Sequence, residues 1–395
     1  MIPKYLNSLA YLNVDKRYYF SKLNDAEKRF YFFMVNLLLN NQMEFIFKYD
    51  YDEVIIDENN NVIDENNNTL PIFKCGIFDT IILTKVWTYM LLDFPEFYYV
   101  YEYDFNHENN IVIMGKEKPY YTISEIQEIN KKLEDILHIF DNLTDEYEIV
   151  ASVNDYICKN YKYDYITSDY LLNSNDDNFD IIAWKRYREK FSISGIVKYG
   201  MGVCGAFAGL AQFILQRKGI KVVNVYGNKE NEVFGHKWLL VNLYGEYYNF
   251  DVTFNNTISS TLNLPQNMFL NNTYELSKHI YLPCEEEECN LLKYSKGLKY
   301  NYYYKNDLYF DCLDIALIKV SEFIINNIND KMNYFYFYIK SDINIKSDIN
   351  IKSDINNLDY LKLEIEELFI KNKLKIDKYD LIEKYNYYAL SYKLK

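Results

Sequence analysis

The chain of 395 residues carries 43 Lys and Arg against 57 Asp and Glu, a formal charge of −14, with 49% apolar and 25% charged residues. That balance excludes global disorder and argues against a nucleic-acid partner, because grip on a phosphate backbone needs cationic side chains that displace counterions. The length allows two or three structural units, and 43 Tyr against 12 Gly and 6 Pro read as a bias of the whole chain rather than as a stacking platform for sugars or bases.

Near the N-terminus, Asn7, Asn13, Asp15 and Lys16 interrupt what would otherwise be an apolar core of signal-peptide length. No run of about twenty apolar residues follows anywhere, so a soluble, cytoplasmic protein without a membrane span is the expectation. The cysteines at 75, 158, 204, 284, 289 and 312 are scattered over a long chain, unlike a secreted disulfide framework, and are expected to be reduced thiols.

In chain order, residues 21–48 are strongly apolar and read as helix turning to strand. The tandem IDENNN units of residues 56–68 are acidic and lack the glycine of a calcium loop, which predicts a flexible surface loop. A helix is predicted over 76–92, then a strand pair, FYYVYEYDF (97–105) and NNIVIMG (109–115), joined by a polar turn. Thr122 and Glu125 have the capping-box spacing, and Ile126, Ile129, Leu133, Ile136, Leu137 and Phe140 follow along one helical face.

Thr144 is placed to cap a second helix through about Lys159, with Ile149, Val150, Val153 and Ile157 buried; His138 and Cys158 in this pair read as packing or surface residues. The polar stretch SDYLLNSNDDNFD (168–180) reads as a loop. Beyond residue 310, helix (Leu313–Asn327), strand (Tyr334–Lys340), helix (Leu358–Lys371) and strand (Tyr387–Lys393) make a small α/β appendage, interrupted by a KSDINI repeat loop over 340–356.

The chemistry concentrates in residues 199–254. Cys204 follows a Gly-rich approach and opens AFAGLAQFILQRK, a run of good helix formers that ends at Gly219. The N-terminus of a helix favours a thiolate through its unpaired N–H groups and dipole, while Gly202 and Gly205 leave room beside the sulfur. Alone this arrangement describes a buried structural cysteine as well as a nucleophile. Downstream, His236 and Trp238 share one face of a strand, and a two-residue turn at Tyr244-Gly245 brings Asp251 to that face, diagonal to His236. A one-residue slip would send the carboxylate to the other face.

GVCGAFAGLAQFILQRKGI, then VYG, GHKW and YYNFDVTF, resemble the three motifs of the transglutaminase-like superfamily, with 32 residues from Cys204 to His236 and 15 from His236 to Asp251. The resemblance, which extends over about residues 20–310, implies an α+β, papain-like core: a helix bearing the nucleophile Cys204 at its N-terminus packs against an antiparallel sheet bearing the base His236 and the orienting Asp251. Taken with the pattern along the chain, three regions are expected, an N-terminal α/β region (1–120), the transglutaminase-like catalytic domain (121–310) and the appendage (311–395). The expected chemistry is thiol-dependent acyl transfer on a protein or peptide amide through a Cys thioester, with hydrolysis favoured over cross-linking. A binding or scaffolding module that retains the fold is the alternative.

Trp184 and Tyr199 are candidates to complete an oxyanion hole, and Gly205 and Trp238 to border the substrate. Ala206-Phe207 departs from the small-aromatic pairing of close bacterial relatives. His279, Cys284 and Cys289 lack the spacing of paired zinc knuckles, and no P-loop or dinucleotide fingerprint follows a strand, so neither metal nor cofactor is expected.

Overall fold

The computed structural model describes residues 13–40, 44–48, 72–74, 80–100, 103–106, 111–114, 121–173, 187, 189–228, 235–262, 282–283, 297–327, 333–340, 357–384 and 387–394. The acidic loop at 56–68, the repeat after Lys340, Trp184, His279, Cys75, Cys284 and Cys289 all lie outside them. Contacts divide the chain into two units. One comprises Met1–Val153, Asn160–Val225 and Val241–Leu243, the other Asn154–Lys159, Tyr226–Leu240 and Tyr244–Lys395.

In the first unit, α1 (Tyr18–Ser21) leads into α2 (Asp25–Leu39), whose start is fixed by a reciprocal capping box between Asn24 and Glu27. The apolar run at 21–48 thus divides into α2 and the strand β1 (Glu44–Lys48), as its composition suggests. With β2 (Ile72–Lys74), β3 (Tyr103–Asn106) and β4 (Ile111–Met114), β1 forms a sheet in the order β2–β1–β4–β3, parallel only between β1 and β2.

Helix α3 (Thr80–Asp93) precedes β3, and the segment between them corrects the sequence reading. Among the described residues of the Tyr-rich run, 103–105 are strand; Pro95–Phe97 is a 3-10 turn, and Phe97, Tyr98, Tyr99 and Val100 are all buried. The Val100 N–H donates to the Phe97 carbonyl at 3.0 Å, so the chain is still turning where its aromatic content resembles a strand.

A buried polar network ties α1 to α3. The Asp93 carboxylate accepts the N–H groups of Phe20 at 2.8 Å and Tyr19 at 3.3 Å, capping α1, and the Tyr31 hydroxyl at 2.8 Å. Arg17, itself buried, donates to the Asp93 carbonyl and to Gln216 Oε1 at 2.9 Å, and its guanidinium lies 3.7 Å from the Phe94 ring centroid. Burial pushes the Asp93 carboxyl up to about 6 against the opposing pull of Arg17.

Helix α4 (Ile123–His138) has the predicted capping box at Thr122 and Glu125, with Ile126, Ile129, Leu133 and Ile136 buried. Helix α5 (Glu146–Asn160) follows, and Ile149, Val150, Val153 and Ile157 are buried as expected. Its cap is Asp145 rather than Thr144: the Asp145 carboxylate accepts the Glu148 N–H at 3.0 Å. The neighbouring residues are both cap formers, and the carboxylate also suits the positive end of the helix dipole.

After β5 (Lys162–Tyr163), helix α6 (Tyr165–Asn173) occupies the start of the stretch read as a loop. Asp164 creates it by accepting the Thr167 N–H at 3.0 Å and hydroxyl at 2.9 Å. Helix α7 (Ile193–Tyr199) ends at Gly200 with φ of 70°, and β6 (Met201–Gly202) then pairs parallel with β5. Helix α8 (Cys204–Arg217) closes with Gly219 at φ of 80°, where the Gly219 and Ile220 N–H groups bond the carbonyls of Gln216 and Leu215, each at 3.0 Å. This is the left-handed glycine stop expected from the sequence.

Strands β7 (Val222–Asn228), β8 (His236–Leu243) and β9 (Glu246–Phe250), then helix α9 (Val252–Leu262) and β10 (Leu282–Pro283), complete the central region; the sheet order is β10–β7–β8–β9. In the second unit the chain continues through α10 (Tyr302–Lys305), β11 (Tyr309–Phe310), α11 (Leu313–Asn326), β12 (Asn333–Ile339), α12 (Asn357–Lys371), β13 (Ile376–Lys384) and β14 (Tyr387–Leu394).

The C-terminal sheet runs β11–β12–β14–β13, parallel only between β11 and β12. Strand β12 alternates: Phe337 and Ile339 join a core with Ala316, Val320, Ile324, Leu361 and Ile365 of α11 and α12, while Tyr336 and Tyr338 belong to a second cluster around Tyr303. The predicted appendage elements are present, and β11 and β13 add to them.

Candidate active site

Cys204 is the first residue of α8, and every residue from Ala206 to Gln216 is buried. From Ala206 on the helix is covered on all sides, while Cys204 and Gly205 at its start are half-buried. The preceding Val203 is extended, and no side-chain hydrogen bond caps the helix there. Cys204 itself is half-exposed and its thiol is free of any disulfide.

The approach to Cys204 is stitched down residue by residue. The Val203 N–H donates to the Lys190 carbonyl at 3.0 Å, and the Asp164 N–H donates to the Gly202 carbonyl at 2.9 Å. The side chains repeat the link, since Lys190 Nζ lies 3.3 Å from Asp164 Oδ2 and both residues are buried. Two glycines permit the close passage: a Cβ on Gly205 would stand 2.7 Å from the Phe191 carbonyl oxygen, and one on Gly202 would stand 2.6 Å from the Ala206 Cβ. The glycines were expected to leave room beside the sulfur; what fills the space at both is the protein's own chain.

Downstream, β8 and β9 are joined by Tyr244 at φ of 50° and Gly245 at φ of 92°. Two consecutive positive-φ residues are the signature of the two-residue turn whose twist matches a hairpin. The expected turn is therefore the observed one. Trp238, Leu239, Leu240 and Val241 are buried in succession, so β8 is covered on both faces and His236, at its start, is only partly so.

His236 Nε2 lies 2.6 Å from Asp251 Oδ2. An ionised carboxylate can only accept, so with Asp251 in that form Nε2 carries the proton and Nδ1 is the acceptor. The other oxygen of the same carboxylate, Oδ1, accepts the Phe254 N–H at 2.9 Å, and the Asp251 carbonyl accepts the Asn255 N–H at 3.0 Å. Asp251 is thus the N-cap of α9 as well as the partner of the imidazole. Each role uses one carboxylate oxygen as the acceptor. Strand parity places Asp251 on the face of His236 but does not reveal the cap, for which the signal in the sequence is an Asp directly before a helix.

Trp238 stacks beside His236, with centroids 5.8 Å apart and planes at 19°. Its indole N–H donates to Asn249 Oδ1 at 2.9 Å, and the residue is buried, so it packs the imidazole from inside the hairpin. The Tyr199 hydroxyl donates to Glu189 Oε2 at 2.6 Å, and burial together with that carboxylate raises its pKa.

Cys158 is buried on α5, its Sγ 3.8 Å from the Val252 carbonyl, and burial raises its thiol well above the ordinary range. His138 is exposed and bonded to Asp141 at 2.8 Å, in keeping with a surface role. Among the described residues no group of three His, Cys, Asp or Glu side chains could hold a metal ion, and no helix is long and apolar enough to cross a membrane.

Residues 124–261, which include Cys204, His236 and Asp251, match the family model of a transglutaminase-like domain. The chain carries a transglutaminase-like domain. Two similar solved structures are a candidate cysteine protease from Cytophaga hutchinsonii and a TGase. The first is 20% identical with a TM-score of 0.23, the match covering 34% of this chain and 41% of that one; the second is 13% identical with a TM-score of 0.27, covering 51% and 55%. The chain covers less than two thirds of either protein, and overlaps this loose carry no argument about its activity. No curated protein matches at a significant level. Within the transglutaminase-like domain, Cys204 falls in the first unit and His236 and Asp251 in the second.

Proposed function

We propose that the transglutaminase-like domain is a thiol-dependent acyl transferase in which Cys204 is the nucleophile, His236 the general base and acid, and Asp251 the residue that orients the base. The observation that supports this reading best is the 2.6 Å bond between His236 Nε2 and Asp251 Oδ2, with the carboxylate anchored by its other oxygen to the start of α9. A carboxylate fixed on two sides holds one imidazole tautomer, and that tautomer leaves Nδ1 to take the thiol proton.

In the proposed cycle the Cys204 thiolate attacks an amide carbonyl, the C–N bond breaks as His236 returns the proton to the leaving amine, and a thioester remains. Backbone N–H groups at the start of α8 are the proposed donors to the oxyanion, with Trp184 as a further candidate; the single Tyr199 hydroxyl proton is already given to Glu189. Water resolves the thioester in a peptidase or amidase, and a second amine resolves it in a transglutaminase; hydrolysis is the preferred outcome. The substrate is a protein or peptide, the catalytic domain spans 121–310, and no cofactor enters the cycle.

Incubating the protein with casein and a labelled primary amine distinguishes the outcomes. Peptide release without amine incorporation, abolished by Cys204→Ala, is expected. Amine incorporation that depends on Cys204 would make the activity cross-linking, and no Cys204-dependent change in either readout would sink the enzymatic reading.

A further inference from the structure

The first turn of α9 carries Asp251, and it is gripped from two directions within the second unit. On one side Asn255 Nδ2 donates to Asn154 Oδ1 at 2.6 Å, both residues being buried, and Asn256 Nδ2 donates to the Cys158 carbonyl at 3.2 Å. These bonds hold the turn to α5. On the other side the half-buried Phe254 packs against the cluster of Tyr303, Tyr338 and Ala389, which belongs to α10, β12 and β14. That cluster is itself fixed: the Leu308 N–H donates to the Tyr303 carbonyl at 2.7 Å, and the Tyr338 N–H donates to the Leu308 carbonyl at 2.9 Å.

Phe254 is therefore two things at once. Its backbone N–H donates to Asp251 Oδ1, and its side chain is seated on the C-terminal sheet. We propose that Phe254 is a positioning residue through which the C-terminal sheet holds the Asp251 carboxylate, and with it the His236 imidazole, in working geometry. This inference rests on the reading of His236 as base and Asp251 as its orienter. The C-terminal sheet thereby gains a role in the chemistry although it contributes no group to it.

Removing the ring leaves the N–H in place but frees it to move with the turn. The Asn154–Asn255 bond persists, so the helix remains attached to α5 while the cap loosens. A displacement of about 1 Å at such a group costs up to about a hundredfold in rate.

The test uses full-length protein labelled with 15N-histidine. The Nε2–H proton held by Asp251 gives a downfield signal, assigned among the four His of the chain by its loss in His236→Gln. Phe254→Ala should broaden or abolish that signal and slow iodoacetamide alkylation of Cys204 by about tenfold to a hundredfold. Phe254→Tyr, which keeps the ring, should restore both. Phe335→Leu is the control: Phe335 is on β12 but packs toward the α11 and α12 core, so it loosens the same sheet without moving signal or rate. If Phe254→Ala does not fold, Phe254→Leu carries the test.

Wild-type signal and rate in Phe254→Ala or, where that variant does not fold, in Phe254→Leu would overturn the inference. Equal losses in Phe335→Leu would also overturn it, as would absence of the signal from the wild type. The signal reports the His236–Asp251 bond whether or not acyl transfer occurs, so failure of the proposed function is registered separately, by Cys204→Ala leaving peptide release unchanged.

Discussion

Asp251→Asn separates the two roles of Asp251 more sharply than truncation would. The carboxylate accepts at both oxygens, from His236 Nε2 at 2.6 Å and from the Phe254 N–H at 2.9 Å. An amide has one acceptor and one donor end, so it can satisfy only one of these partners. With its oxygen on the Phe254 N–H the helix stays capped, but an NH2 now faces Nε2. The imidazole must then accept there and carry its proton on Nδ1, where it can no longer take one from a thiol. With the amide reversed, the tautomer survives but the cap is lost, at a cost of about 1 kcal/mol.

Losing the charge-assisted bond alone removes about 1.5–3 kcal/mol, or ten- to a hundredfold in rate, and a wrong tautomer extends the loss toward the ~10⁴-fold of a carboxylate-to-amide change in a serine triad. The assay is the burst of p-nitrophenolate from p-nitrophenyl acetate at pH 7, with Cys204→Ala as the blank. The burst rate should fall by about tenfold to ten-thousandfold in a protein whose melting temperature changes by only a few degrees. A rate within threefold of wild type would show that the bond between His236 and Asp251 does not serve the thiol.

Gly205→Ala and Gly209→Ala lie on the same helix and should behave oppositely. A Cβ at 205 meets the Phe191 carbonyl oxygen at 2.7 Å, and backbone there must shift, at about 1–3 kcal/mol, more than the roughly 1 kcal/mol that alanine returns in a helix. A Cβ at 209 meets Pro95 Cβ at an ordinary 3.7 Å, so that variant should be neutral or more stable by about 0.5–1 kcal/mol; urea unfolding reads both. Asp93, raised from 3.8 to about 6, binds its proton more tightly folded than unfolded. Its contribution is therefore full below the unfolded value and declines as pH rises toward 6, by roughly 3 kcal/mol, and is then constant. The stability difference between wild type and Asp93→Asn, measured by urea unfolding at pH 4 and pH 7.5, should shift by an amount of that order against the wild type; an unchanged difference would refute the assignment.

Much of the local structure was legible because local chemistry decides it. The Thr122–Glu125 box, the glycine stop at Gly219 and the two-residue turn at Tyr244-Gly245 each depend on residues adjacent in the chain, and each is present. The motif spacing carried the resemblance that the match at 124–261 supports. Where the structure departs, caps and packing that the apolar pattern does not mark decide. Residues 97–100 are rich in strand formers but are buried in a turn, and α6 extends into a polar stretch because Asp164 caps it. Strand β13, IDKYDLIEK, places charges on both faces and shows no alternation, yet it lies at the edge of the sheet beside β14. The Arg17–Asp93 link spans 76 positions, and the cap that Asp251 gives to α9 needed the helix to be seen first. No periodicity encodes either.

If Cys204 is a thiol made reactive by its site, the chain contains its own comparators. Cys158 is buried, while Cys312 is half-exposed and, like Cys204, stands at the start of a helix, here as the N-cap of α11. Competitive iodoacetamide alkylation of the native protein at pH 7, read by peptide mass spectrometry, measures all three together. Cys204 should be alkylated at least about tenfold faster than Cys312, and His236→Gln should remove the difference. Equal rates at Cys204 and Cys312 in the wild type, or an advantage that survives His236→Gln, would contradict the proposed roles of Cys204 and His236.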